Sequence, residues 1–106
     1  QLAALSDSLH PAVLRMIKMT VNGAKKHGKW VGVCGAMAGD KTAVPVLIGS
    51  GVKELSVVPP LIPAVKAQIR SLSFARCEDL ARLAVGQETA SAVHKIVEEF
   101  LSGRGE

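Results

Sequence analysis

The sequence predicts an α/β fold with parallel strands, a fragment of a larger domain whose natural closed form is a barrel. Three observations predict it. Two short runs rich in β-forming residues, near Trp30–Cys34 and Glu54–Val58, are each followed by a glycine- or proline-marked turn and then a helix. Strands joined through helices pair in parallel by a right-handed crossover. Two parallel strands are not a finished sheet: each leaves an unpaired edge, and such strands call for helices and further strands around them.

Residues 1–8 form a short lead-in. His10-Pro11 opens the first helix, since proline suits the first helical turn, and Asp7 and Ser8 are nearby capping candidates. Val13, Leu14, Ile17, Val21 and Ala24 recur at helical spacing and give one apolar face. Lys25, Lys26 and His27 suit the negative end of the helix dipole, and Gly28 stops the helix. The first strand covers about residues 29–34, followed by a turn from Gly35 to Asp40 in which Gly35 and Gly39 admit unusual backbone angles. Asp40 or Thr42 caps a short helix over about residues 42–50, with Pro45 in its first turn and Gly51 at its end. The second strand covers residues 54–58. Pro59, Pro60 and Pro63 break it and start a helix with Val65, Ile69 and Leu72 on one face and Lys66 and Arg70 on the other.

After Ser73 the pattern is purely helical. Phe74 to Val85 places Cys77, Leu80, Ala81 and Ala84 at helical spacing and ends at Gly86. About residues 88–101 form a last helix, with Val93, Ile96, Val97 and Phe100 on one face, and residues 102–106 are a frayed tail. The expected division is therefore residues 1–73, the terminal β/α units, and residues 74–106, a C-terminal helical extension.

The chain has 106 residues, 48% of them hydrophobic but only 3% aromatic, so its core must come from Val, Leu, Ile, Ala and Met. The net charge of +4 is spread among acids, and no aromatic residues interleave with basic ones, which argues against nucleic-acid binding. Two cysteines make no disulfide framework, and a reducing cytoplasm is expected. There is no CxxC, and His10, His27 and His94 lack metal-site spacing, so no metal site is expected within this stretch. No apolar run spans a bilayer and no signal peptide is visible. The first residue is not Met, so the chain is expected to be a piece of a longer protein or a processed product.

In parallel α/β folds chemistry gathers where strands end and helices begin. The turns after Val33 and Val57 fall on one edge of the sheet, which brings Cys34, Gly35, Ser56 and Pro59 near one another. Cys34, at the end of a strand expected to be buried, is by position a candidate to carry chemistry. The plain alternative is a small buried core residue. Cys77 reads as core. The Gly35–Gly39 loop lacks the Lys-Ser/Thr ending of a phosphate-cradling loop and reads as a tight turn. Asp40 reads as a cap, His94 as an ordinary helix residue, and Lys25-Lys26 as a solvated face.

Several blocks carry a resemblance. These are His10-Pro11-Ala12-Val13-Leu14-Arg15-Met16-Ile17-Lys18, then Gly28-Lys29-Trp30-Val31-Gly32-Val33-Cys34-Gly35, and Met37-Ala38-Gly39-Asp40. Gly49-Ser50-Gly51-Val52-Lys53-Glu54-Leu55-Ser56 and Ile62-Pro63-Ala64-Val65-Lys66 continue it in the same order. The chain resembles enzyme I of the bacterial phosphotransferase system (phosphoenolpyruvate–protein phosphotransferase) and, equally, the enzyme I-like module of multiphosphoryl transfer proteins.

The resemblance implies the last two β/α units of a TIM-type (β/α)8 barrel plus C-terminal helices. It implies a domain that binds phosphoenolpyruvate and a Mg2+ cofactor whose ligands lie outside this chain, together with the phosphate-binding arginines. The phosphoryl group passes to a histidine on a separate N-terminal domain and then to an HPr-type carrier in cytoplasmic sugar uptake. Cys34 stands at the position of the family's acid, which protonates enolpyruvate to pyruvate. Members dimerise through this barrel, and the fragment alone is not expected to be active.

Two positions depart from the pattern. Ala36 stands where glutamate usually follows Cys-Gly, and Ser56-Val57-Val58-Pro59 replaces Ser-Met-Ser-Pro. The first bears on a polar contact near the thiol; the second removes a hydroxyl from the barrel mouth. Two other readings stand beside this one: a catalytically inert dimerisation or interaction module, and a barrel fragment of a pyruvate-phosphate dikinase or phosphoenolpyruvate synthase. The Ile62–Lys66 block is more similar to enzyme I.

Overall fold

The computed structural model describes residues 9–103, which are mostly helical with one small sheet. Asp7 and Ser8, expected as caps, lie outside the described residues, as does the end of the expected tail. In chain order the elements are α1 (Pro11–Lys26), β1 (Gly32–Cys34), α2 (Val44–Gly49), β2 (Glu54–Ser56), α3 (Ile62–Arg70), α4 (Phe74–Val85) and α5 (Ala90–Leu101). Single 3-10 turns, Ala36–Gly39 and Pro59–Leu61, follow the two strands.

Local chemistry sets these limits. His10 itself caps α1: its Nδ1 accepts the Ala12 N–H at 3.1 Å. Gly28, with φ +67°, takes the left-handed turn that ends the helix. Asp40 Oδ1 accepts from the Thr42 N–H at 2.9 Å and the Thr42 hydroxyl at 2.7 Å, forming the turn one step before α2. Ser73 and Thr89 cap α4 and α5 through their hydroxyls. Both strands are shorter than predicted, and Leu72 lies beyond the end of α3.

The strands pair in parallel with Gly32 opposite Glu54, Val33 opposite Leu55 and Cys34 opposite Ser56. Side chains alternate between the two faces of a strand. Val31, Val33 and Leu55 pack against the core, whereas Gly32, Cys34, Glu54 and Ser56 are exposed on the other face. The expected burial of β1 therefore holds on one face only. The reason is the placement of the helices: the buried cluster draws on Leu14 and Val21 of α1, Val46 and Leu47 of α2, Leu80 and Ala84 of α4, and Val93 and Val97 of α5. All of this lies on the Val33 side of the sheet.

Two contacts lock the helical layer. Gly49, at the end of α2, lies directly on the backbone of Cys77 and Glu78 in α4. Arg15 of α1 donates through Nε to the Val85 carbonyl at 2.8 Å and through Nη2 to the Gln87 carbonyl at 3.0 Å. Its cation thus satisfies carbonyls at the C-terminal end of α4, where the helix dipole is negative. By contrast α3 buries only Val65, and its Ile62 and Ile69 remain exposed.

Candidate active site

Cys34 closes β1 and lies opposite Ser56, the last residue of β2. Parallel pairing puts both residues at the C-terminal edge of the sheet and on its open face. Gly35 follows with φ +88°, which favours glycine, and turns the chain straight into the Ala36–Gly39 turn. The second wall is the segment after β2. Gly39 brings the walls together: a Cβ there would lie 3.0 Å from Leu61 Cδ1 and 3.5 Å from Val57 Cγ1. Between them is a pocket of about 350 Å³ lined by Gly35, Ala36, Gly39, Ser56, Val57, Val58 and Leu61.

The expected neighbourhood of Cys34, Gly35 and Ser56 is therefore present, while Pro59 begins the next turn on the exposed side. Cys34 is exposed rather than enclosed by this chain's own atoms. Glu54 was not singled out by the sequence. It shares the open face, leaning across the strand so that a Cβ on Gly32 would be 3.2 Å from its Oε1. Its strand has only three residues, too few for two-residue alternation to have marked it in the sequence.

The other cysteine differs in every respect. Cys77 is fully buried in α4. Burial pushes its thiol up from the ordinary value near 9.0, and Arg76 beside it pulls part of the way back. Since the native state holds this proton longer than the unfolded chain does, the associated stability is fully present below about pH 9 and is lost as pH rises further. Urea unfolding should show the midpoint falling between about pH 8 and about pH 10, with a smaller fall in Cys77→Ala. Equal falls in both proteins would contradict this assignment.

The histidines are dispersed: His10 and His27 flank α1, and His94 is on α5. The described residues contain no group of three or more His, Cys, Asp or Glu side chains that could hold a metal ion. Asp40 gives its Oδ1 to Thr42. The described residues do not fit a Mg2+ site on their own, and no step below runs through the ion. Among them no helix is long and apolar enough to cross a membrane.

Comparisons with known proteins bear on the family. Residues 1–74 match the family described as PEP-utilising enzyme, PEP-binding domain. The chain is 52% identical over 96 residues to a multiphosphoryl transfer protein of Xanthomonas campestris, an alignment that covers 91% of this chain and 12% of that protein. It is 49% identical over 92 residues to a multiphosphoryl transfer protein of Rhodobacter capsulatus, covering 87% of this chain and 11% of the relative. It is 38% identical over 98 residues to the phosphoenolpyruvate-protein phosphotransferase of Mycoplasma capricolum, covering 92% and 17% respectively. The chain thus spans between about a tenth and a sixth of the length of these relatives. With its cysteine and serine paired at the strand ends and this match over most of its length, the chain belongs to the PEP-binding domain family of the PEP-utilising enzymes.

Proposed function

We propose that the chain is the C-terminal part of a cytoplasmic phosphoenolpyruvate–protein phosphotransferase, or of the equivalent module of a multiphosphoryl transfer protein, and that Cys34 protonates enolpyruvate. One observation carries the reading: the Cys34 thiol and the Ser56 hydroxyl stand side by side at the C-terminal ends of parallel strands in a chain of this family. Helices on one face of the sheet and a polar, open second face suit the wall of a (β/α)8 barrel whose interior the remaining strands complete. The relatives' names supply the substrate and the reaction class. In the full protein the phosphoryl group passes to a histidine outside this chain and then to an HPr-type carrier.

The chemistry asks little of this portion beyond a proton. Attack by the acceptor histidine breaks the phosphorus–oxygen bond of phosphoenolpyruvate, and the electron pair stays on the enol oxygen. The resulting enolate needs a proton at C3 from a donor held on one face. Cys34 supplies it from its S–H, and solvent reprotonates the thiolate. Mg2+, bound by residues of the parent protein outside this chain, would neutralise charge on the phosphate.

Alkylation of the parent protein with iodoacetamide tests the placement. Cys34 should react in the free protein, phosphoenolpyruvate should slow that reaction at least tenfold, and buried Cys77 should stay unlabelled in both cases. Labelling of Cys34 that ignores phosphoenolpyruvate would remove the thiol from the substrate site.

A further inference from the structure

Of the residues on the open face of the sheet, Gly32, Cys34, Glu54 and Ser56, only Glu54 carries a charge. It stands opposite Gly32 and two residues before Ser56, so it lies one alternation step, about 6.6 Å, below the Cys34–Ser56 pair at the C-terminal edge. Its side chain leans across β1. A Cβ on Gly32 would be 3.2 Å from Glu54 Oε1 and 3.3 Å from Glu54 Cβ, so glycine at 32 leaves the room that the carboxylate uses. No described residue donates a hydrogen bond or an ion pair to that carboxylate. The cation next to it in sequence, Lys53, lies over the Phe74 ring instead, 5.9 Å from the centroid. Both oxygens of Glu54 are thus open to donors from outside this chain.

We propose that Glu54 is a positioning residue: it pairs with an arginine or lysine side chain supplied by the rest of the parent protein's barrel wall, and holds that cation beneath the substrate. The proposal rests on the reading of the open face as the inside of the barrel. Once closure covers this face, an unpaired carboxylate is costly, whereas a cation seated on it offsets the loss of water. The reaction sets the same demand. Phosphoenolpyruvate is an anion, and a bare carboxylate about 7 Å below Cys34 repels it in a site that excludes water. A cation on Glu54 cancels that repulsion and turns its remaining N–H groups towards the substrate. A guanidinium suits the place best, because its planar fork binds a carboxylate through two N–H groups and leaves others free. A lone carboxylate whose neighbours on the face are a glycine, a thiol and a hydroxyl is a poor nucleus for a divalent ion. Glu54 itself does not touch the substrate; it acts through the cation.

A crystal structure of the parent protein tests the pair, and kinetics test its role. The expected result is an arginine or lysine nitrogen within about 4 Å of the Glu54 carboxylate. A covered carboxylate that meets only water, neutral groups or a metal ion overturns the proposal alone. A sheet face still open to solvent overturns it together with the barrel. In assays of pyruvate formation, Glu54→Gln should lower kcat/KM for phosphoenolpyruvate by about 10–100-fold, carried by KM, because the shape is kept and the charge that holds the cation is lost. Glu54→Asp keeps the charge and should recover part of that loss. A residue that only fills space tolerates glutamine, so wild-type kinetics in Glu54→Gln overturn the positioning role, as does a loss confined to kcat. A wild type that forms no pyruvate refutes the proposed reaction, and the crystal structure still decides the pair.

Discussion

Replacing Gly49 with alanine is expected to destabilise the chain by about 3 kcal/mol, whereas Gly23→Ala should stabilise it by up to about 1 kcal/mol. Both glycines lie in helices, and helix propensity alone favours alanine at each. What separates them is the neighbourhood. A Cβ on Gly23 would meet nothing within 4 Å. A Cβ on Gly49 would overlap the carbonyl carbon and oxygen of Cys77 and lie 2.9 Å from the Glu78 nitrogen. These are backbone atoms of α4, with no rotamer to escape into, so α2 must move away from α4. Overpacking of this kind outweighs the propensity gain. Out of a total stability of roughly 5–15 kcal/mol, the loss is large. It also reaches the site, because β2 hangs from the end of α2 through Gly51 and Val52. Urea midpoints followed by circular dichroism decide it: a Gly49→Ala protein as stable as the wild type would contradict the close approach of the two helices.

Much of the helical layer was legible because its apolar positions recur at helical spacing. The four residues expected on the inner face of α4 (Cys77, Leu80, Ala81 and Ala84) are its buried residues. The parallel pairing of β1 and β2 followed from strands joined through a helix. Register did not, because a crossover of this length leaves the alignment free; the opposition of Cys34 and Ser56 is information only the folded chain supplies. The open face of the sheet was hidden for a different reason. Trp30 to Val33 reads as an unbroken apolar run, the mark of a strand covered on both sides, yet Trp30 is 63% exposed. Three-residue strands are too short for alternation to show in the sequence. Long-range ties were invisible altogether. Gly49 read only as part of a helix end, and nothing near Arg15 marks its bonds to the carbonyls of Val85 and Gln87.

Cys34→Ala in the parent protein should lower pyruvate formation by about 10²–10⁴-fold, the contribution of a positioned general acid. Because Cys34 is exposed and lies outside the buried cluster, the substitution should leave the unfolding midpoint where it was. Loss of rate without loss of stability thus separates chemistry from packing. Cys34→Ser sharpens the distinction. Serine restores a donor of nearly the same shape, but an alcohol is a much weaker acid than a thiol. If Cys34 only fills space or holds a hydrogen bond, serine recovers the rate; if it delivers the proton, serine stays within about tenfold of alanine. Stereochemistry gives a readout that no structural role would move. A donor fixed at the end of β1 adds hydrogen to one face of the enol, so stereospecifically labelled phosphoenolpyruvate turned over in heavy water yields pyruvate of one chirality at its methyl carbon. In Cys34→Ala that proton comes from solvent on either face, and the product should be racemic; retained chirality would mean that some other group, and not this thiol, donates the proton.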